Sequence, residues 1–192
     1  MFSLIVVDVQ NEFSADGERT VPDHASALAR IQMQVHEARN SGVPIAWVKH
    51  HNRPDESPAF VPGSWGAELS LGLGPQDGNG REKLFTKEVF GAFTGTGLEE
   101  WLRMQSVSQV VVVGFFTHMC VSTTCREALV RGFEVFVDPE ATGAHDLEDS
   151  ALGKQSAEEV RRSALLQLRD MGVKIADHVI SSAHASFSEE AL

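Results

Sequence analysis

The chain has 192 residues, 42% of them hydrophobic, and carries a formal net charge of −11. That length and apolar fraction suit a single domain, residues 1–192, with a sizeable core, and the acidity offers no basic surface to nucleic acid or anionic lipid. The opening MFSLIVVDVQ is interrupted by Asp8 and lacks a basic lead, and no segment reaches 18 consecutive apolar residues, so neither a signal peptide nor a membrane span is expected.

The first element in chain order is the strand-like run LIVVDV (4–9). Residues 24–41 follow with Leu28, Ile31, Val35 and Ala38 at helical spacing, and Gly42 stops the run. A second strand is expected at VPIAWVKH (43–50). Residues 52–82 form one long irregular stretch rich in Gly, Pro and Ser, the signature of a lid, a binding loop or an interface. KLFTK (83–87) suits a short strand. GTGLEEWLRM (95–104) places Thr96 and Glu99 in capping-box spacing. QVVVVGFF (109–116) predicts a strand, 118–132 a helix ending at Gly132, and FEVFVDP (133–139) another strand. A helix over 156–172 carries Val160, Ala164 and Leu168, and a last strand is expected near 175–180. The apolar runs are continuous rather than alternating, as in strands covered on both faces. Alternating strands and helices imply right-handed crossovers and a parallel, doubly wound α/β sheet with helices on both sides.

In such a sheet, ligands bind beyond the carboxyl ends of the strands. Asp8 ends the first strand, and Thr117 to Cys120 follow the third long one and open a helix. With Thr117 as N-cap, Cys120 takes the third helical position, where the helix field favours thiolate. Cys125 lies deeper in the same helix and reads as packing. Two cysteines this close do not make a disulfide framework, so both are expected reduced in a cytosolic protein. An acid in so apolar a strand as Asp8's is costly unless paired, and beside a thiol it can act as a base. Taken singly, Asp8 also fits a loop cap, Lys87 a surface lysine and Cys120 a core residue.

Three segments together resemble the isochorismatase-like cysteine hydrolase superfamily: LIVVDVQNEF (4–13), FTKEVFGAFTGTGLEEWL (85–102) and VVVGFFTHMCVSTTCREALVRGFEVFVDPEATGAHD (111–146). The third, with G-x-x-T-H-x-C-V followed by T-x-R-E-A, is the most specific. The resemblance implies a three-layer α/β/α fold with a six-stranded parallel sheet, in a homo-oligomer such as a dimer or tetramer. It implies an amidohydrolase with no cofactor that acts on a small-molecule substrate. Asp8, Lys87 and Cys120 would be the catalytic triad, and the backbone N–H groups of Phe116 and Cys120 the oxyanion hole. A cis peptide would join Phe115 to Phe116.

The departures from the family pattern carry expectations too. Nicotinamidases of the superfamily hold a metal through Asp-x-His and a later His. Here the matching place reads WVKHHNRPDESPAF, with His50 and His51 adjacent and Asp55 after them. Neighbouring side chains on a strand point to opposite faces and chelate poorly, so no metal site is expected. Isochorismatases that cleave a vinyl ether lack the cysteine, so its presence favours amide chemistry. A vinyl-ether hydrolase with an incidental Cys120 and a non-catalytic binding scaffold are the alternatives. PGSWGAEL (62–69) resembles a substrate loop. Trp65, Phe93 and His118 are the candidate pocket residues, with packing or interface roles as the other option.

Overall fold

The structure, a computed structural model, describes residues 1–53, 55–76, 78, 80–177 and 179–180. Its strands are β1 (Phe2–Val7), β2 (Ile45–His50), β3 (Glu82–Lys87), β4 (Gln109–Phe115), β5 (Glu134–Gly143), β6 (Leu147–Asp149), β7 (Gly153–Gln155) and β8 (Lys174–Ile175). Its helices are α1 (His24–Asn40), α2 (Leu98–Met104), α3 (Ser122–Val130) and α4 (Ala157–Asp170). Six strands pair in the order β3-β2-β1-β4-β5-β8, every pair parallel. β6 and β7 form a separate antiparallel hairpin.

Each central strand divides its apolar side chains between two cores. Leu4, Val6, Trp47, Val111 and Val113 pack with Ile31, Val35 and Ala38 of α1. Ile5, Val7, Val48, Val110 and Val112 face Leu98 and Leu102 of α2, Ala128 of α3 and Leu168 of α4. Burial on both faces explains why these strands read as unbroken apolar runs. The expected six-stranded, three-layer α/β/α architecture is the one observed. Strand order reverses between β1 and β4, and the crevice at such a switch point is where open α/β sheets bind ligands.

Three local expectations are corrected. The Thr96–Glu99 capping box does not form, because α2 starts one residue late: Gly97 caps it in the left-handed region (φ 75°). Thr96 Oγ1 instead donates to Ala92 O and accepts from Leu98 N. The sixth strand is only Lys174–Ile175. Val179 and Ile180, expected within it, pack into the α1-side core, and position 178 lies outside the described residues. Thr117 is not an N-cap: its Oγ1 donates to Gly143 O at 2.9 Å. The chain leaves β4 through a π-helical turn, Thr117–Val121, before α3 begins at Ser122. Among the described residues, no helix is long and apolar enough to cross a membrane.

Candidate active site

β1 ends at Val7, and Asp8 turns the chain out of the sheet at φ 53°. This left-handed conformation is one that Asp tolerates better than β-branched residues do. Next to it, Gly114 of β4 adopts φ 120°, and a Cβ there would lie 1.9 Å from Val7 O. Only glycine lets the ends of β1 and β4 approach so closely. The Phe115–Phe116 peptide is cis, as the resemblance implied, and the π turn after it carries Cys120. Lys87 ends β3 and reaches across β2 into the same crevice.

The three side chains meet. Lys87 Nζ lies 2.7 Å from Asp8 Oδ2 and 3.3 Å from Cys120 Sγ, and all three residues are buried. Its third contact is one the sequence did not reveal: His50 Nδ1, at 3.1 Å. An ammonium has only donors, so His50 Nδ1 accepts and the ring proton sits on Nε2. Nε2 faces Asn52 Oδ1 at 2.8 Å, and the Asn52 amide is held in turn by donating to Ala59 O. Lys87 Nζ is thus in contact with three groups of the site. Burial, and then the field of Lys87, push the His50 pKa down, so the ring is neutral at pH 7. Both nitrogens of His50 are occupied, which leaves neither free to ligate a metal.

Burial alone would drive Lys87 toward the neutral amine. The Asp8 carboxylate and then Cys120 outweigh it and raise the Lys87 pKa above its ordinary value. Cys120 moves the other way from the thiolate expected at a helix start. Burial first, and Asp8 second, push its pKa up against the opposing pull of Lys87. The resting sulfur is therefore a neutral thiol beside the Asp8 carboxylate. Cys125 is wholly buried on α3 and belongs to the core. Both cysteines are free thiols.

Cys120 opens onto a cavity of about 400 Å³ that also exposes Asp8 and His50. Phe13, Phe60, Phe116 and Met119 give it apolar walls. Phe13 stacks edge-on against Phe116 at 4.8 Å and tilts against Phe60 at 5.2 Å. The 52–82 stretch does reach the cavity, through Asn52, Glu56, Ser57 and Phe60.

Two buried polar residues of DVQNEF hold that stretch in place. Gln10 Nε2 donates to His50 O and Ala67 O, and its Oε1 accepts from His50 N. Glu12 accepts from Phe60 N and Glu18 N. Polar residues in a strand-end motif were the only sequence signal for them. Trp65, Phe93 and His118, the candidate pocket residues, do not line this cavity. Trp65 is 55% exposed, and Phe93 is buried in the core against Phe133 and the Arg131 guanidinium. His118 stacks behind Phe116 at 5.4 Å.

His50→Phe keeps the ring volume but removes the acceptor for one buried Lys87 N–H. Stability is expected to fall by about 1–3 kcal/mol, the cost of an unmade buried hydrogen bond. kcat should fall more than KM rises, because Lys87 is released to drift from Asp8. His50→Gln, which restores an acceptor, should recover part of kcat. Thermal melts and steady-state kinetics read both effects.

A parallel α/β sheet thus brings an acid, a lysine and a thiol together at its switch point. The isochorismatase-domain family model matches residues 3–178, and the chain belongs to that family. Over 75% of its length it is 33% identical to a secreted isochorismatase effector of Verticillium dahliae, covering 73% of that protein. It is 31% identical to the nicotinamidase/pyrazinamidase of Mycobacterium tuberculosis over 79% of this chain and 92% of that one. The crystal structure of a cysteine hydrolase from Pseudomonas syringae superposes with a TM-score of 0.86 at 26% identity, covering 96% of this chain and 92% of that one.

Proposed function

We propose that the protein is a cysteine amidohydrolase that cleaves the C–N bond of a small-molecule amide through a thioester on Cys120. The observation that carries this is the single ammonium, Lys87, in contact with both Asp8 and Cys120 at the floor of a cavity. The similarity to a nicotinamidase/pyrazinamidase supports the choice of amide chemistry.

Asp8 takes the Cys120 proton as sulfur attacks the amide carbon, so thiolate forms only when a substrate is there to receive it. Lys87 stays protonated through this step and offsets the charge that moves from carboxylate to sulfur to oxyanion. Backbone N–H groups of Phe116 and Cys120 are assigned to the oxyanion. The tetrahedral adduct collapses, the C–N bond breaks, and protonated Asp8 gives its proton to the leaving amine. Asp8 then deprotonates a water that attacks the thioester, which releases the acid and restores the thiol. The net reaction is amide plus water to acid plus amine, with no cofactor consumed. The two unpaired thiols fit a reducing cytosol. A homo-oligomer is part of the same proposal and is checked by light scattering.

A panel of primary amides scored for ammonia release, with isochorismate in parallel, tests the reaction class. Ammonia release from at least one small amide is expected. Turnover of isochorismate with every amide inert would replace this proposal with the vinyl-ether reaction, a possibility raised by the Verticillium relative.

A further inference from the structure

The cavity is not electrostatically uniform along its length. It crosses the carboxyl ends of the strands, from Glu88 after β3, past His50 and Asp8, to Phe116 and Arg19 on the β4 side. Arg19 and Phe116 also line a second cavity of about 290 Å³ with Glu18, Thr20, His145 and Asp146. The two spaces therefore share one wall at the Arg19 end.

The backbone of Arg19 is held in place, while its exposed side chain is electrically uncommitted. Its backbone N–H donates to Glu12 O, while the carboxylate of the buried Glu12 accepts from Glu18 N, so a core residue fixes the loop. Gly17 packs so closely on Glu12 that a Cβ would lie 2.1 Å from Glu12 O. Among the described residues, the Arg19 guanidinium forms no ion pair and no hydrogen bond, in a chain with 27 acidic and 16 basic residues. Of the acids around the two cavities, Glu56 pairs with Arg53 and Asp146 accepts from Ala157 N, while Glu18 and Glu88 line the walls as well.

Beside Arg19, the rings of Phe116, His118 and His145 form a cluster with centroids 4.6–5.4 Å apart. His118 Nδ1 is buried without a hydrogen-bond partner. Burial, then His145 and Arg19, bring the His118 pKa down to about 4. Burial and then Arg19 lower that of His145. Arg19 is thus the one cationic side chain lining the two cavities among the described residues, with two neutral imidazoles next to it that a bound anion would make more basic.

We propose that the Arg19 end of the cavity is a carboxylate subsite, so that the amide substrate carries a carboxylate on the side of its carbonyl that faces β4 and β5. This rests on the amidohydrolase proposal for the same cavity. A guanidinium suits the task because it grips a carboxylate with two parallel N–H donors. The apolar walls further along the cavity would take the body of the molecule, and Glu88 at the far rim would repel a second anionic group. The substrate class is then a small amide of a mostly apolar acid with one free carboxylate.

Benzoate and benzamide, nearly equal in shape and different in charge, test the subsite by isothermal titration calorimetry. The measurement uses the wild type and Cys120→Ser, in which turnover does not interfere. Benzoate is expected to bind about ten-fold tighter, the yield of one ordinary guanidinium–carboxylate pair. Arg19→Gln should remove the difference, and Arg19→Lys should keep part of it. Equal binding of the two ligands, no binding of benzoate, or a preference that survives Arg19→Gln would overturn the subsite. The amide panel reads the amidohydrolase proposal separately. A benzoate preference that depends on Arg19, in a protein that releases no ammonia, would leave the subsite standing and remove the reaction.

Discussion

Cys120→Ala is expected to abolish amide turnover, by on the order of 10⁴-fold or more, with the fold intact. The size follows from the role: no other described side chain places a nucleophilic sulfur or hydroxyl beside Asp8 and Lys87. The fold survives because little is removed. Cys120 lies on the cavity wall rather than in sealed core, so water can enter the vacated space. Lys87 keeps two of its three acceptors, Asp8 and His50. A stability loss of about 1 kcal/mol is expected, typical of a small truncation. Circular dichroism melts and ammonia release, run on the same preparation, check both halves. Full activity in Cys120→Ala would exclude the thioester.

Asp8→Asn is expected to lose about 10²–10⁴-fold in kcat, the usual yield of a general acid–base group. It should also destabilise the protein by roughly 3–5 kcal/mol, because it leaves a buried ammonium without its countercharge. These effects have different causes, and a double variant separates them. Asp8→Asn with Lys87→Met removes both charges, so most of the stability should return while activity stays absent.

The sign of the pH dependence follows as well. Lys87 titrates above its ordinary value in the folded chain, and Asp8 is what holds it there. Its contribution is therefore complete at neutral pH and is lost as pH rises through the raised folded value. In Asp8→Asn the support is gone and burial prevails, so alkaline unfolding should begin at lower pH than in the wild type. Urea titrations across a pH series measure this shift.

The sheet was legible in the sequence because double burial writes itself as continuous apolar runs such as VVVV (110–113). Covered strands have no solvent face on which polar residues would alternate. Asp8 and Cys120 were legible for a related reason: polar, reactive groups at the ends of such runs are costly unless they have partners. Lys87 was not legible from its surroundings. Only the family resemblance singled it out, because its place in the site depends on strand order, and β3 lies two strands away from β1.

The helix start is a poor guide to the protonation of Cys120 for a physical reason. Position along a helix reports the local dipole, but burial and the Asp8 carboxylate outweigh it, and both depend on tertiary contacts. The turn itself is π-helical and held by Thr117 on Gly143 O, a contact 26 residues along the chain that periodicity does not record. His50 shows the same limit. Next to His51 it looked like half of a failed chelate, whereas its ring is the neutral acceptor that completes the coordination of Lys87. The candidate pocket residues were assigned from residue type and, for Trp65, from the resemblance of 62–69 to a substrate loop. Phe13, Phe60 and Phe116 form the walls, while Phe93 went to the core and Trp65 to the surface.

The central claim is that Cys120 carries the acyl group during turnover. Rapid acid quench of the wild type in the presence of an amide that releases ammonia, followed by peptide mass spectrometry, tests it most directly. The account predicts an acyl adduct, of the mass of the substrate acid less water, on the peptide that contains Cys120. Steady ammonia release with Cys120 unmodified throughout, or with the adduct on Cys125, would contradict it.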